Sequence, residues 1–231
     1  MYKKRIFNLI SLMINFAIVL VTISSISYAF RPDIVTENAL LNYKGFASLK
    51  FFTNLSNLYV ALTAFVMLVF NVKNAIDDTY KFPKFAVILK FSGTVAVTVT
   101  FLTVALFLSP LVMQSGKSYF VLFEGNSFLL HFLTPVLAII SSLFFEGYKD
   151  LKFKYTLTGM LPTVIYSIPY TIMVVIVGEE NGGWADFYGF TLGGKMYAVP
   201  FVMLIMYSVS YLLGVLEWYI QKKMVSKNRL M

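Results

Sequence analysis

The chain has 231 residues, 58% hydrophobic and 13% charged, with 19 Lys and Arg against 11 Asp and Glu and a formal net charge of +8. A soluble domain averages about 45–50% apolar and about 25% charged residues, so a water-soluble globule is excluded and an integral membrane protein is predicted. Cysteine is absent and His131 is the single histidine, which excludes disulfide frameworks, cysteine nucleophiles and His-rich metal centres; neither a metal nor a cofactor is expected.

A hydrocarbon core of about 30 Å takes roughly 20 apolar residues per helix. Six stretches reach that length, about 6–30, 49–72, 84–109, 120–147, 155–178 and 197–220. The expected fold is all-α: a single domain, residues 1–231, forming a bundle of six transmembrane helices. The first stretch follows "KKR" and ends near "SYA", as a signal peptide does. Its apolar run exceeds the usual 7–15 residues of such a segment, so it is expected to stay as a helix.

The second stretch begins "LKFFTNLSNLYVAL". Ser56 and Asn57 follow Thr53 by three and four residues, so the three share one helix face as a polar stripe. Hydrogen bonding between helices accounts for such a stripe; so does a hydroxyl nucleophile flanked by donors for an oxyanion. The third stretch, with its β-branched "TVAVTVTFLTVALFL", suits a strand in water. In lipid an open strand leaves its backbone unsatisfied, and helix is expected.

The fourth stretch carries "FLLHFLTPVLA". An imidazole inside a span normally faces the bundle interior or a polar cavity, as a satisfied structural group or as a functional one. Pro135 cannot donate the backbone bond to the carbonyl of His131, which predicts a kink beside the ring. Glu124 and Ser127 precede His131 on its own face and are candidates to orient it; Glu124 serves equally as an interfacial charge. Between the last two stretches, "NGGWADFYGF" offers Asp186 as another orienting carboxylate. Trp184, Tyr188 and Phe190 there suit an interfacial aromatic belt or a cover over the end of the bundle.

With six spans, Arg31, Lys44, Lys50, Lys117 and Lys195 fall on one side and the other fourteen of the nineteen Lys and Arg, Lys90 among them, on the opposite side. The positive-inside rule then puts both termini in the cytoplasm. The same cations suit anionic lipid headgroups at that face rather than nucleic acid. Thr53 is expected about 6 Å, and His131 roughly 12 Å, inside the outer edge of the bilayer at 1.5 Å per residue. Internal repeats are not evident and no buried charge pair is expected, which counts against a transporter.

Taken together, "KFFTNLSNL", the histidine of "LLHFLTPVLA", "GGWADFYGF" and the six-span hydropathy resemble the androgen-induced-gene-1 and androgen-dependent TFPI-regulating protein family, bacterial six-pass members included. The resemblance implies an intramembrane hydrolase in a bacterial plasma membrane, with Thr53 as nucleophile and His131 as base. It implies lipid ester substrates, such as fatty acid esters of hydroxy fatty acids, entering from the bilayer. The chain departs from the animal pattern after the threonine, where it has "NLSNL". Within this chemistry Ser56 and Asn57 are oxyanion candidates, and Glu124, Ser127 and Asp186 are orienting candidates. An acyltransferase using the same pair, or a non-catalytic lipid-binding or transport protein, are the alternatives.

Overall fold

The computed structural model describes residues 2–31, 44–77, 82–146 and 151–228. It is 84% helix, without strands among the described residues. Six helices are long and apolar enough to cross a membrane: α1 (Tyr2–Tyr28), α2 (Phe52–Ile76), α3 (Lys84–Gln114), α4 (Gly125–Phe145), α5 (Phe153–Val177) and α6 (Ala198–Asn228). They run alternately up and down. Side chains from the start of α1, the end of α2, the start of α3 and the ends of α4 and α6 therefore meet at one end of the bundle, the terminal end. The starts of α2 and α4 meet the ends of α3 and α5 at the other.

Helix α3 is the centre. Residues 90–97 are buried without a break, the pattern of a helix surrounded by others. Its small residues let neighbours approach. A Cβ on Gly93 would lie 3.3 Å from the Val60 Cα and 2.9 Å from the Thr63 hydroxyl on α2, and Ser92 Oγ donates to the Thr158 carbonyl on α5 at 2.7 Å. Outward-facing Met13, Leu62, Leu106, Ile165, Ile176 and Leu204 are exposed, as a lipid-facing belt requires.

Element boundaries differ from expectation where the backbone is irregular. Gly45–Lys50 form a 3-10 turn and Phe51 is extended, so α2 starts at Phe52. Tyr119–Phe123 form a second such turn, Glu124 is extended, and α4 starts at Gly125. Helix α3 runs past Pro110 to Gln114 because a wide π turn at Val104–Leu108 absorbs the disruption just before the proline. The same happens in α4, where Leu129–Leu133 form a π turn ahead of Pro135. The irregularity expected beside His131 is thus a widened turn that contains it.

Two expectations are overturned. Lys90, placed among the loop cations, lies inside α3 and is 1% exposed. Its Nζ is 3.9 Å from Glu146 Oε2, so the core does hold a charge pair. The physical reason is depth: Lys90 is a full turn and more inside an apolar span, where a cation is stable only against buried acceptors. For the aromatic loop, burial favours the cover over the belt. Tyr188 and Phe190 are 6% exposed and join the main core cluster rather than an interfacial belt.

Candidate functional site

Thr53 is the second residue of α2. Extended Phe51 separates it from the preceding 3-10 turn, so its hydroxyl lacks the helical i−4 carbonyl that usually engages a threonine in a membrane helix. The first amides of a helix also lack intrahelical acceptors. Leu55 is bonded back to the Phe51 carbonyl at 3.2 Å, whereas the Phe52 amide donates to the Tyr188 phenol oxygen at 2.8 Å. Burial pushes the Tyr188 phenol up to about 12, while the Phe52 amide and the amide and hydroxyl of Thr53 act the other way. Tyr188 therefore keeps its proton at neutral pH and sits against the start of α2, beside the Thr53 hydroxyl.

This corner opens on a cleft enclosing about 460 Å³, its open mouth included. Its lining is almost wholly apolar surface, although hydroxyl-bearing Thr53, Thr100, Thr103, Thr163, Tyr166, Ser167 and Tyr188 stand in it beside Phe52, Leu108, Phe190, Met203 and Met206. Most of these hydroxyls are engaged elsewhere. Thr100 pairs with Ser56 at 2.8 Å, Thr163 with Ser210 at 2.9 Å, Ser167 with Tyr207, and Tyr166 donates to the Lys50 carbonyl at 2.6 Å. The cleft is apolar in its walls and sparing in available donors, as small-molecule pockets commonly are.

His131 lies in the widened turn of α4 and is buried. Its Nδ1 lies 2.6 Å from the Leu122 carbonyl. A carbonyl only accepts, so Nδ1 carries the proton and Nε2 is left with its lone pair, the tautomer of a general base. The Phe123 ring packs edge-on against the imidazole, at 6.4 Å between centroids.

Asn57 connects the two regions. Its Nδ2 donates to the Thr53 carbonyl at 2.8 Å and to the Leu130 carbonyl at 3.1 Å. One nitrogen thus joins the turn that presents Thr53 to the turn that presents His131. No hydrogen bond links the Thr53 hydroxyl to the imidazole among the described residues, and His131 is not in the cleft lining.

The other sequence candidates have different partners. Ser56 is bonded to the Thr53 carbonyl at 3.1 Å and to Thr100. With Asn57 bridging two carbonyls, both donors of the polar stripe are committed to structure. Glu124 is exposed and caps the start of α4 through its carbonyl, with Ser127 N at 3.1 Å. The Leu122 carbonyl takes the orienting place considered for Glu124, Ser127 or Asp186. Asp186 instead organises its own loop, accepting from Tyr170, from the Phe190 amide at 2.9 Å, and from the amide and hydroxyl of Thr191 at 2.7 Å each. Burial opposes its charge, yet these donors outweigh burial and hold its carboxyl below the usual value. Gly183 lets this loop lie on α5, since a Cβ there would be 2.1 Å from the Met173 carbonyl.

Sequence reasoning missed the place of Tyr188 against the start of α2 and the Leu122 carbonyl, which no local pattern signals. It also missed the polar cluster at the terminal end, for which a signal existed. Asn8, Ser11 and Asn15 recur at helical spacing in α1, and Lys90 and Glu217 each interrupt an apolar run. Comparison with protein-family models, with curated proteins and with solved structures produced no match.

Proposed function

We propose that this chain is an intramembrane lipid esterase in which Thr53 is the nucleophile and His131 the general base, acting on fatty-acyl esters such as those of hydroxy fatty acids. The observation that carries the reading is the Asn57 bridge, which ties the Thr53 turn to the turn holding an imidazole with an available Nε2. The sequence resemblance points to the same pair.

In this mechanism Nε2 takes the Thr53 hydroxyl proton, directly or through one water, as Oγ1 attacks the ester carbonyl. Apo sites commonly hold such pairs apart until substrate arrives. The tetrahedral oxyanion forms at the start of α2, where the helix dipole favours negative charge. The protonated Tyr188 phenol supplies a donor. His131 returns the proton to the departing alcohol, and a water attacking the acyl-threonine releases the fatty acid. Exposed apolar helix surfaces suit lateral delivery of substrate from lipid. With the basic loops cytoplasmic, the site belongs to the outer half of the bilayer.

A fluorophosphonate probe on the detergent-purified protein tests the assignment. Labelling is expected in wild type and absent in Thr53→Ala and His131→Ala, with folding checked by circular dichroism. Equal labelling of all three rejects the nucleophile. Acyl transfer to an added lipid alcohol without hydrolysis would make the protein an acyltransferase using the same pair.

A further inference from the structure

Away from the Thr53 cleft, three ionisable side chains meet inside the terminal end of the bundle. Lys90 of α3, Glu146 just after α4 and Glu217 of α6 are 1%, 1% and 8% exposed. Glu146 Oε1 accepts from Ser11 at 2.8 Å, from Ser141 at 2.6 Å and from the Asn15 amide. Its Oε2 has no hydrogen-bond partner. Lys90 does not fill that place, because it donates to Asn15 Oδ1 at 2.6 Å and stays 3.9 Å from Oε2.

Glu217 accepts from the Ser142 hydroxyl at 2.5 Å, and Gln221 Nε2 donates to that hydroxyl at 2.9 Å. Gln221 Oε1 is then a second buried acceptor with no donor. Glu217 is within Coulombic reach of both Lys90 and Glu146. Helices α1 and α2 face the cluster with neutral groups: Asn8, Ser11 and Asn15 from one, Asn71 from the other.

One ammonium and two carboxylates leave a surplus negative charge where charge is strongly disfavoured. Hydrogen bonds from neutral donors reduce that cost without removing it. We propose that this cluster is a binding site for one proton, held on a carboxyl of the Glu146 and Glu217 pair. A proton suits the geometry better than a metal ion. An ammonium already stands beside Glu146, and no three acidic or imidazole groups converge among the described residues. The proton joins α4 to α6: with it lost, two buried carboxylates share a single cation and repel across that interface. This site is distinct from the Thr53 cleft in residues and in place, and it stands whether or not the chain is an esterase.

Infrared spectroscopy of the full chain in lipid nanodiscs tests the proposal. A protonated-carboxyl stretch is expected at neutral pH, where solvated carboxylates are ionised, and it should titrate away as pH rises. Glu146→Gln and Glu217→Gln should each abolish it, because either change removes the surplus charge. Lys90→Met should increase it about twofold, since both carboxylates then take a proton. The wild-type titration needs no variant to fold. No carboxyl band at neutral pH, or a band unchanged in both glutamate variants, overturns the proposal. A band lost when sodium replaces a bulky organic cation at constant pH also overturns it, by showing that an alkali ion takes the site.

Discussion

Replacing Asn57 by leucine separates positioning from stability. The side chain is wholly buried, its Nδ2 bridges the Thr53 and Leu130 carbonyls, and its Oδ1 has no partner. Leucine deletes the bridge, and an interhelical hydrogen bond is worth about 0.6–2 kcal/mol in a membrane protein. It also deletes a buried acceptor without a donor, whose burial costs about 1–3 kcal/mol. These terms oppose each other, so Asn57→Leu should leave the unfolding free energy within about 1–2 kcal/mol of wild type. Activity has no such cancellation. A shift of about 1 Å between reacting groups costs on the order of 100-fold in rate, equivalent to about 2.7 kcal/mol of barrier. Thermal unfolding followed by tryptophan fluorescence, alongside kcat on a chromogenic fatty-acyl ester, measures both. A variant with wild-type kcat would show that the bridge does not set the Thr53 and His131 geometry.

Other outcomes follow from single contacts. Tyr188→Phe removes the acceptor of the Phe52 amide and a donor beside the cleft, so kcat should fall at least about tenfold while stability drops by about 1 kcal/mol. Asp186 has its folded-state pKa depressed below 3.8, so its contribution to stability is present above that value and lost as pH falls through the folded one. Melting temperatures of wild type and Asp186→Asn should stay apart at neutral pH and converge only below the ordinary carboxyl pKa of about 3.9, as the pH falls through the depressed folded value. Gly93→Val forces side-chain atoms into the contact with Val60 and Thr63 and should destabilise by about 1–3 kcal/mol; an unchanged melting temperature would contradict the close approach of α2 and α3.

Two polar groupings lie toward opposite ends of this bundle, and each has its own chemistry. Near the start of α2 the groups are neutral hydroxyls, amides and one imidazole around an apolar cleft. At the terminal end they are charged and bonded to amides, with Lys90, Glu146 and Glu217 as the core.

Hydropathy by itself determined that six segments are helices in a membrane, because lipid leaves a backbone no alternative to internal hydrogen bonding. Spacing alone identified the Thr53, Ser56 and Asn57 face, since side chains three and four residues apart share a helix side. It equally put Thr53 and His131 toward one end, through the alternation of span direction. Tertiary structure decided the partners. Asn57 is a bridge because the Leu130 carbonyl comes within 3.1 Å of it, and Leu122 orients His131 because an irregular turn brings its carbonyl back to the ring. Lys90 is a core residue because Asn15 and Glu146, far away in sequence, surround it. Such pairings depend on how helices rotate and approach, which small residues such as Gly93 permit but no local pattern encodes.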